Sequence, residues 1–248
     1  KQLQSFISSV KGEKMNEKSS SHISRIVAIV VVVLVFVGLI AISSSQKQTA
    51  VDKVWRTEMT VGSEDATRLY VMYTDLVCPY CDVFSRAVLD HWDEFLAFLD
   101  EHKILFEVRL TDTLYLGNGY EMSRDSAEAA YCAARENKFW EYYHGAIQAL
   151  WDDYHSKGIG SNKTATPITN LPSDYWQKIG HRAGLGDDFD ECIKTHATAT
   201  EVEDATTKAA SNAKGMPSFI FGKFTNVGFS DTWGWEEVHA MLEAGLSN

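Results

Sequence analysis

The sequence predicts an α/β domain preceded by one N-terminal transmembrane helix. The domain is read as a parallel strand–helix–strand unit, a helical insertion, and a closing hairpin with a last helix. Three observations carry this. A β-rich run leads into a helical apolar repeat and then a second β-rich run. A 17-residue run without charge, Ile26 to Ile42, lies near the start. Two of the four cysteines are spaced C-x-x-C at the strand-to-helix junction.

The 248 residues suffice for one large domain or two small ones, and an apolar share of 45% is enough for a packed core. The net charge is −11. Residues 1–25 carry Lys1, Lys11, Lys14, Lys18 and Arg25 against Glu13 and Glu17, a balance of +3, so the remainder sums to −14. So acidic a body argues against nucleic acid as a partner, because phosphate binding needs clustered Lys and Arg. The acidity reads as solubility.

The first residue is Lys1, and Met15 would serve as a natural start. Residues 1–25 are read as a cytoplasmic segment. IVAIVVVVLVFVGLIAI, residues 26–42, is read as the anchor. Arg25 and the lysines before it place the N-terminus in the cytoplasm and everything after Ser43 outside the membrane. The alternative is a signal-peptide core with Ala41-Ile42-Ser43 as its cleavage site, leaving a secreted protein. Both readings export the body. Residues 43–57 are read as a linker, polar from Ser43 to about Ala50.

The domain follows over 58–246. Leu69 to Tyr73 reads as a buried strand and Ile104 to Leu110 as a second. Between them Phe84, Val88, Phe95 and Leu99 recur at helical spacing, which predicts one helix from about Pro79 to Leu99. Pro79 suits its first turn, where no N–H is required. Helices are expected over Ser123–Arg135 and Phe139–Trp151. After a polar loop from Ser156 to Leu171, helical signals resume at Ser173, an N-cap candidate. They continue, broken at Gly184 and Gly186, to about Ala213. Ser218 to Phe221 reads as a strand, Gly222-Lys223 as a turn, Phe224 to Gly228 as the returning strand, and Trp235 to Leu246 as a closing helix.

The C-x-x-C spacing carries the chemistry. At a helix start, two intervening residues bring the sulfurs within bonding reach. The first thiol meets unpaired N–H groups and the helix dipole, which favour an anion. The thiolate is the nucleophile, so Cys78 is read as the attacking residue and Cys81 as the resolving one. The other reading of such a pair is half a zinc site. No second C-x-x-C or H-x₃₋₅-H is present, so no metal is expected, and no other cofactor. His91, His144, His155, His181 and His196 are scattered and read as ordinary surface or core histidines.

Thr74-Asp75-Leu76-Val77-Cys78-Pro79-Tyr80-Cys81 resembles the active-site turn of the DsbA family of thiol–disulfide oxidoreductases. Phe139-Trp140-Glu141-Tyr142-Tyr143-His144 resembles a characteristic helical segment of that family. Gly215-Met216-Pro217-Ser218-Phe219 resembles its proline loop. The resemblance implies a thioredoxin fold with a helical insertion over about 115–213. It also implies a cis Pro217 against Cys78, and Met216 offering backbone hydrogen bonds to a client peptide. Implied partners are reduced exported proteins as substrates and a quinone-linked membrane protein as reoxidant.

Two positions depart from the family pattern. Where members often carry a carboxylate that assists proton transfer from the second thiol, this chain has Met72, and Asp75 is the candidate for that assistance. Where the most oxidising members have histidine, this chain has Tyr80, so the active-site dipeptide is Pro79-Tyr80. The expected function is disulfide formation in exported proteins. The alternatives are a reductase or isomerase, and a redox-silent peptide-binding module. Cys132 and Cys192, left over in an exported chain, are expected to form a structural disulfide. Two buried free thiols are the other reading.

Overall fold

The computed structural model describes residues 57–160, 168, 171–212, 215–230 and 232–247. The run at 26–42 and the segments on either side of it, up to residue 56, lie outside the described residues. Among the described residues no helix is long and apolar enough to cross a membrane.

Arg68–Thr74 (β2) is buried continuously from Tyr70 onward, as expected of a strand covered on both faces. It pairs in parallel with Ile104–Leu110 (β3), in register from Arg68 opposite Ile104 to Thr74 opposite Leu110. Ser218–Phe221 (β4) runs antiparallel on its other side, with Tyr73 opposite Ser218. Phe224–Val227 (β5) pairs back on β4, and Thr60–Gly62 (β1) pairs antiparallel with β3. The sheet order is β1-β3-β2-β4-β5. Side chains alternate across it. Tyr70 and Met72 join the main core, while Val71 and Tyr73 pack with Ala209 on the opposite face. In the main core Tyr70 stacks on Phe221 at 4.3 Å, and Phe84 packs on Phe219 at 4.7 Å.

Two helices, Pro79–Asp90 (α1) and Trp92–Glu101 (α2), connect β2 to β3 where the apolar period predicts one. The break is at His91, whose backbone leaves helical geometry at φ −125° and whose ring stacks on Trp235 at 5.3 Å. The period does not show it because Phe84 and Val88 before the break, and Phe95 and Leu99 after it, all still reach the core.

Between β3 and β4 lie Thr113–Asn118 (α3), Glu121–Arg135 (α4), Phe139–Asp153 (α5), Tyr175–Arg182 (α6), Asp187–Lys194 (α7) and Ala199–Asn212 (α8). Trp235–Leu246 (α9) closes the chain. β1 and α3 were not expected; three and six residues are too short to show a period. The cap of α6 is Asp174 and not Ser173, and no side chain bonds there. A further break separates α7 from α8, where His196 adopts a positive φ of 51°.

Cys132 on α4 and Cys192 on α7 are bonded, with Cα atoms 5.9 Å apart. The same corner is held by the Thr198 hydroxyl donating to the Glu128 carbonyl at 2.9 Å, and by His196 paired with the Glu128 carboxylate at 2.7 Å.

Candidate active site

The loop leaving β2 is held by one carboxylate. Asp75 accepts from the Val77 N–H at 3.1 Å, the Leu114 N–H at 3.0 Å and the Ser123 hydroxyl at 2.6 Å. It thereby ties the loop to α3 and α4. Burial pushes its carboxyl up to about 6, against the pull of those three donors and with a push from Asp112. An acid raised on folding holds its proton longer than in the unfolded chain. Its share of stability is therefore complete below 3.8 and is lost as pH rises through about 6. Asp75→Ala should strand two buried donors and one part-buried donor and cost about 2–4 kcal/mol, read by urea unfolding. An unchanged midpoint would contradict this role.

Cys78 is the N-cap of α1, and its own N–H donates to the Asp75 carbonyl at 3.0 Å. Pro79 opens the helix, where a missing N–H leaves nothing unsatisfied. The Cys78 thiol is held below the ordinary cysteine value. A hydrogen bond from the Cys81 thiol is the main cause, opposed by burial and by the Asp75 charge, and helped by the Cys81 and Tyr80 N–H groups. Cys81 goes the other way. Burial raises it well above the ordinary value, and the neighbouring Cys78 adds to this, against a hydrogen bond from Thr74. The two cysteines are 5% and 1% exposed, and both are free. The site therefore holds one thiol prepared to ionise and one prepared to stay protonated.

Beneath Cys81 the Ser85 hydroxyl donates to the Cys81 carbonyl at 2.9 Å and pairs with the Tyr143 hydroxyl at 2.7 Å. Met72 is buried in the core below the site and offers no carboxylate. Tyr80 is 44% exposed.

The Met216–Pro217 peptide bond is cis. Because Ser218 lies opposite Tyr73 in an antiparallel pair, Pro217 flanks the end of β2 where the chain turns toward Cys78. The Pro217 carbonyl accepts from the Gly228 N–H at 2.7 Å, and the Thr111 hydroxyl reaches the Met216 sulfur at 3.8 Å. Cys132 and Cys192 belong to the α4–α7 clasp and not to this site.

Sequence reasoning misses Asp82 and His155. Both are buried, at 3% and 5% exposure, with Nδ1 of His155 3.0 Å from Oδ2 of Asp82. The signal for Asp82 is its place directly after Cys81, beside the buried stripe Cys81, Phe84, Ser85 and Val88. Nothing local marks His155, which arrives from the far end of α5.

Residues 55–244 match the family model described as Thioredoxin, and the chain belongs to that family. With the dithiol intact, its class is that of a thiol–disulfide oxidoreductase. Comparison with curated proteins gives no match. Among solved structures, a thioredoxin-like oxidoreductase from Silicibacter pomeroyi is similar at 14% identity and a TM-score of 0.55, covering 76% of this chain and 92% of that one. The thiol-disulfide exchange protein alpha-DsbA2 from Wolbachia pipientis is similar at 17% identity and a TM-score of 0.53, covering 81% and 92%. Reduced DsbG, a disulfide bond oxidoreductase from Mycobacterium tuberculosis, is similar at 16% and 0.53, covering 82% and 93%. At these identities the likeness establishes the fold.

Proposed function

We propose that the protein forms disulfides in exported chains, working outside the cytoplasm through Cys78 and Cys81. The observation that carries this is the opposed preparation of the two thiols, with Cys78 lowered at the helix start and Cys81 raised beneath it. In the oxidised protein a client thiolate attacks the Cys78 sulfur, the Cys78–Cys81 bond breaks, and Cys81 leaves. A second client thiolate then attacks the mixed disulfide. Cys78 leaves readily as a thiolate, because a less basic sulfur is a better leaving group. Pro79 opens the helix, exposed Tyr80 borders the approach to Cys78, and Met216 and Pro217 flank it as the peptide-binding loop. In this reading Asp75 positions the loop.

The run at 26–42 is proposed as a membrane anchor with the domain extracytoplasmic, and a quinone-linked membrane protein as the reoxidant. Both rest on the sequence and the family resemblance. Carbonate-resistant membrane association of the full chain is the expected result for the anchor. A soluble mature chain beginning near Ser44 would replace it with a cleaved signal.

Alkylation of the reduced protein tests the assignment of the thiols. Only the thiolate reacts, so Cys78 should reach its full rate below the ordinary cysteine value of 9.0, while Cys81 remains slow through that pH. A faster Cys81 would reverse the two roles.

A further inference from the structure

Cys81 presents an acid–base problem that neither Met72 nor Asp75 solves. When it is displaced from the disulfide it leaves as a thiolate in a buried site. When it attacks a mixed disulfide on Cys78 it must first lose its proton. Solvent reaches 1% of it, and burial holds its proton firmly. Met72 carries no exchangeable proton. Both oxygens of Asp75 are already engaged by three donors.

Asp82 follows Cys81 directly on α1, and its carboxylate faces His155, brought in just after α5. The contact is close but not aligned as a hydrogen bond. Oδ1 of Asp82 and both ring nitrogens of His155 are buried without a hydrogen-bond partner. Buried polar atoms left unpaired are costly, so a fold that keeps three of them together needs a physical reason. The Tyr143 hydroxyl stands within electrostatic reach of both the thiol and the pair. It is bonded to Ser85 one turn beyond Cys81, and its own acidity is suppressed mainly by burial, with both Cys81 and Asp82 acting on it electrostatically. The other titratable groups on the elements around the pair are Tyr80, Arg86 and Asp90 on α1, Glu141, Tyr142, His144 and the exposed Asp152 and Asp153 on α5, and Tyr154 and the exposed Lys157 beside His155. The Arg86 guanidinium lies over the Trp151 ring at 4.3 Å.

We propose that the buried Asp82–His155 pair is the proton-exchange partner of Cys81. It gives a proton to the departing thiolate and takes it back when Cys81 attacks. The proposal rests on the exchange reading above. In the resolving direction, the Cys81 S–H bond breaks and its sulfur bonds to the Cys78 sulfur. The bond from Cys78 to the outside sulfur breaks, and that sulfur leaves as a thiolate. The proton passes toward the pair by way of the Thr74 hydroxyl, which bonds both the Cys81 thiol and Tyr143, and then the Tyr143 hydroxyl. Two electrons move within the three sulfurs, and no external oxidant is consumed. His155 opens the turn that ends at Gly158 and is followed directly by exposed Ser156 and Lys157, which gives the proton a short way out to solvent.

The test uses the full chain carrying a nitrothiobenzoate adduct on Cys78. Release of the coloured thiolate as Cys81 closes the disulfide is followed from about pH 5 to about pH 9. Asp82→Asn and His155→Gln should each slow release at least about tenfold near neutrality. Their rates should then rise in proportion to hydroxide and approach wild type at the alkaline end. The rate of Cys78 alkylation should be unchanged, which a merely structural role would not predict. If Asp82→Asn does not fold, His155→Gln and Tyr143→Phe carry the test. Wild-type rates and pH profiles in the folded variants would overturn the proposal, and so would a matching loss of Cys78 reactivity. A wild-type protein that releases no thiolate would overturn the exchange reading, and this proposal with it.

Discussion

Cys81→Ser should leave the protein covalently loaded with client chains on Cys78, and Cys78→Ser should abolish exchange. The asymmetry follows from position. Cys78 caps α1, where the Cys81 thiol and two backbone N–H groups favour its anion. Cys81 is buried one turn in and held protonated. Removing Cys78 removes the only thiol prepared to ionise. Removing Cys81 leaves the attacking thiol but takes away the internal route off a mixed disulfide. The choice of replacement matters. Serine keeps a hydroxyl that can donate to Cys78, whereas alanine removes the largest influence lowering its acidity. Cys78 should therefore alkylate at lower pH in Cys81→Ser than in Cys81→Ala. Non-reducing gels of each variant, made with and without client, read the adducts. Adducts on Cys81 in the Cys78→Ser protein, or none on Cys78 in the Cys81→Ser protein, would contradict the assignment.

The second large effect is on stability. Replacing Cys132 and Cys192 together by alanine should cost about 4 kcal/mol, because the bond closes a loop across a separation of 60 residues. For a domain of this size that is a drop of about 10 °C or more in Tm. The clasp matters most for α7, which buries only Phe189. Exchange activity at permissive temperature should survive. The clasp grips the far end of α4, nine residues or roughly 13 Å along the helix from Ser123, which touches Asp75. A loss of less than about 1 kcal/mol would mean that α4 and α7 stay together without the bond.

What was legible in the sequence was what repeats or what is rare. Cys78 and Cys81 were legible because two thiols at that spacing, directly before a helical period and with no further metal-binding pair, suit disulfide exchange and little else. β2 and β3 were legible because their buried faces are unbroken runs, and α5 because its aromatic residues recur at helical spacing. The bond between Cys132 and Cys192 was legible only as a pair left over. The break at His91 was invisible because both flanking helices keep the same apolar phase. β1 and α3 were invisible because they are too short for any phase. Asp82 and His155 were missed for a different reason. A carboxylate in a first helical turn normally faces water, and nothing between Cys81 and His155 says that the chain returns to bury it. Asp75 was legible as the nearest acid to Cys78, but the three hydrogen bonds by which it also holds the loop were not.

The reduction potential of the Cys78–Cys81 pair tests the proposed direction of exchange most directly. A thiolate favoured at Cys78 stabilises the reduced form and makes the disulfide an oxidant. Tyr80 cannot supply the charge-assisted hydrogen bond that a histidine could, which moderates this. Met72 adds no carboxylate of its own beneath the site, which restores part of it. The expected value lies between about −120 and about −200 mV, and Tyr80→His should raise it by at most tens of millivolts. Equilibration of the purified domain with glutathione buffers gives the value. A potential near about −270 mV would contradict the account, because such a pair would keep exported thiols reduced instead of joining them.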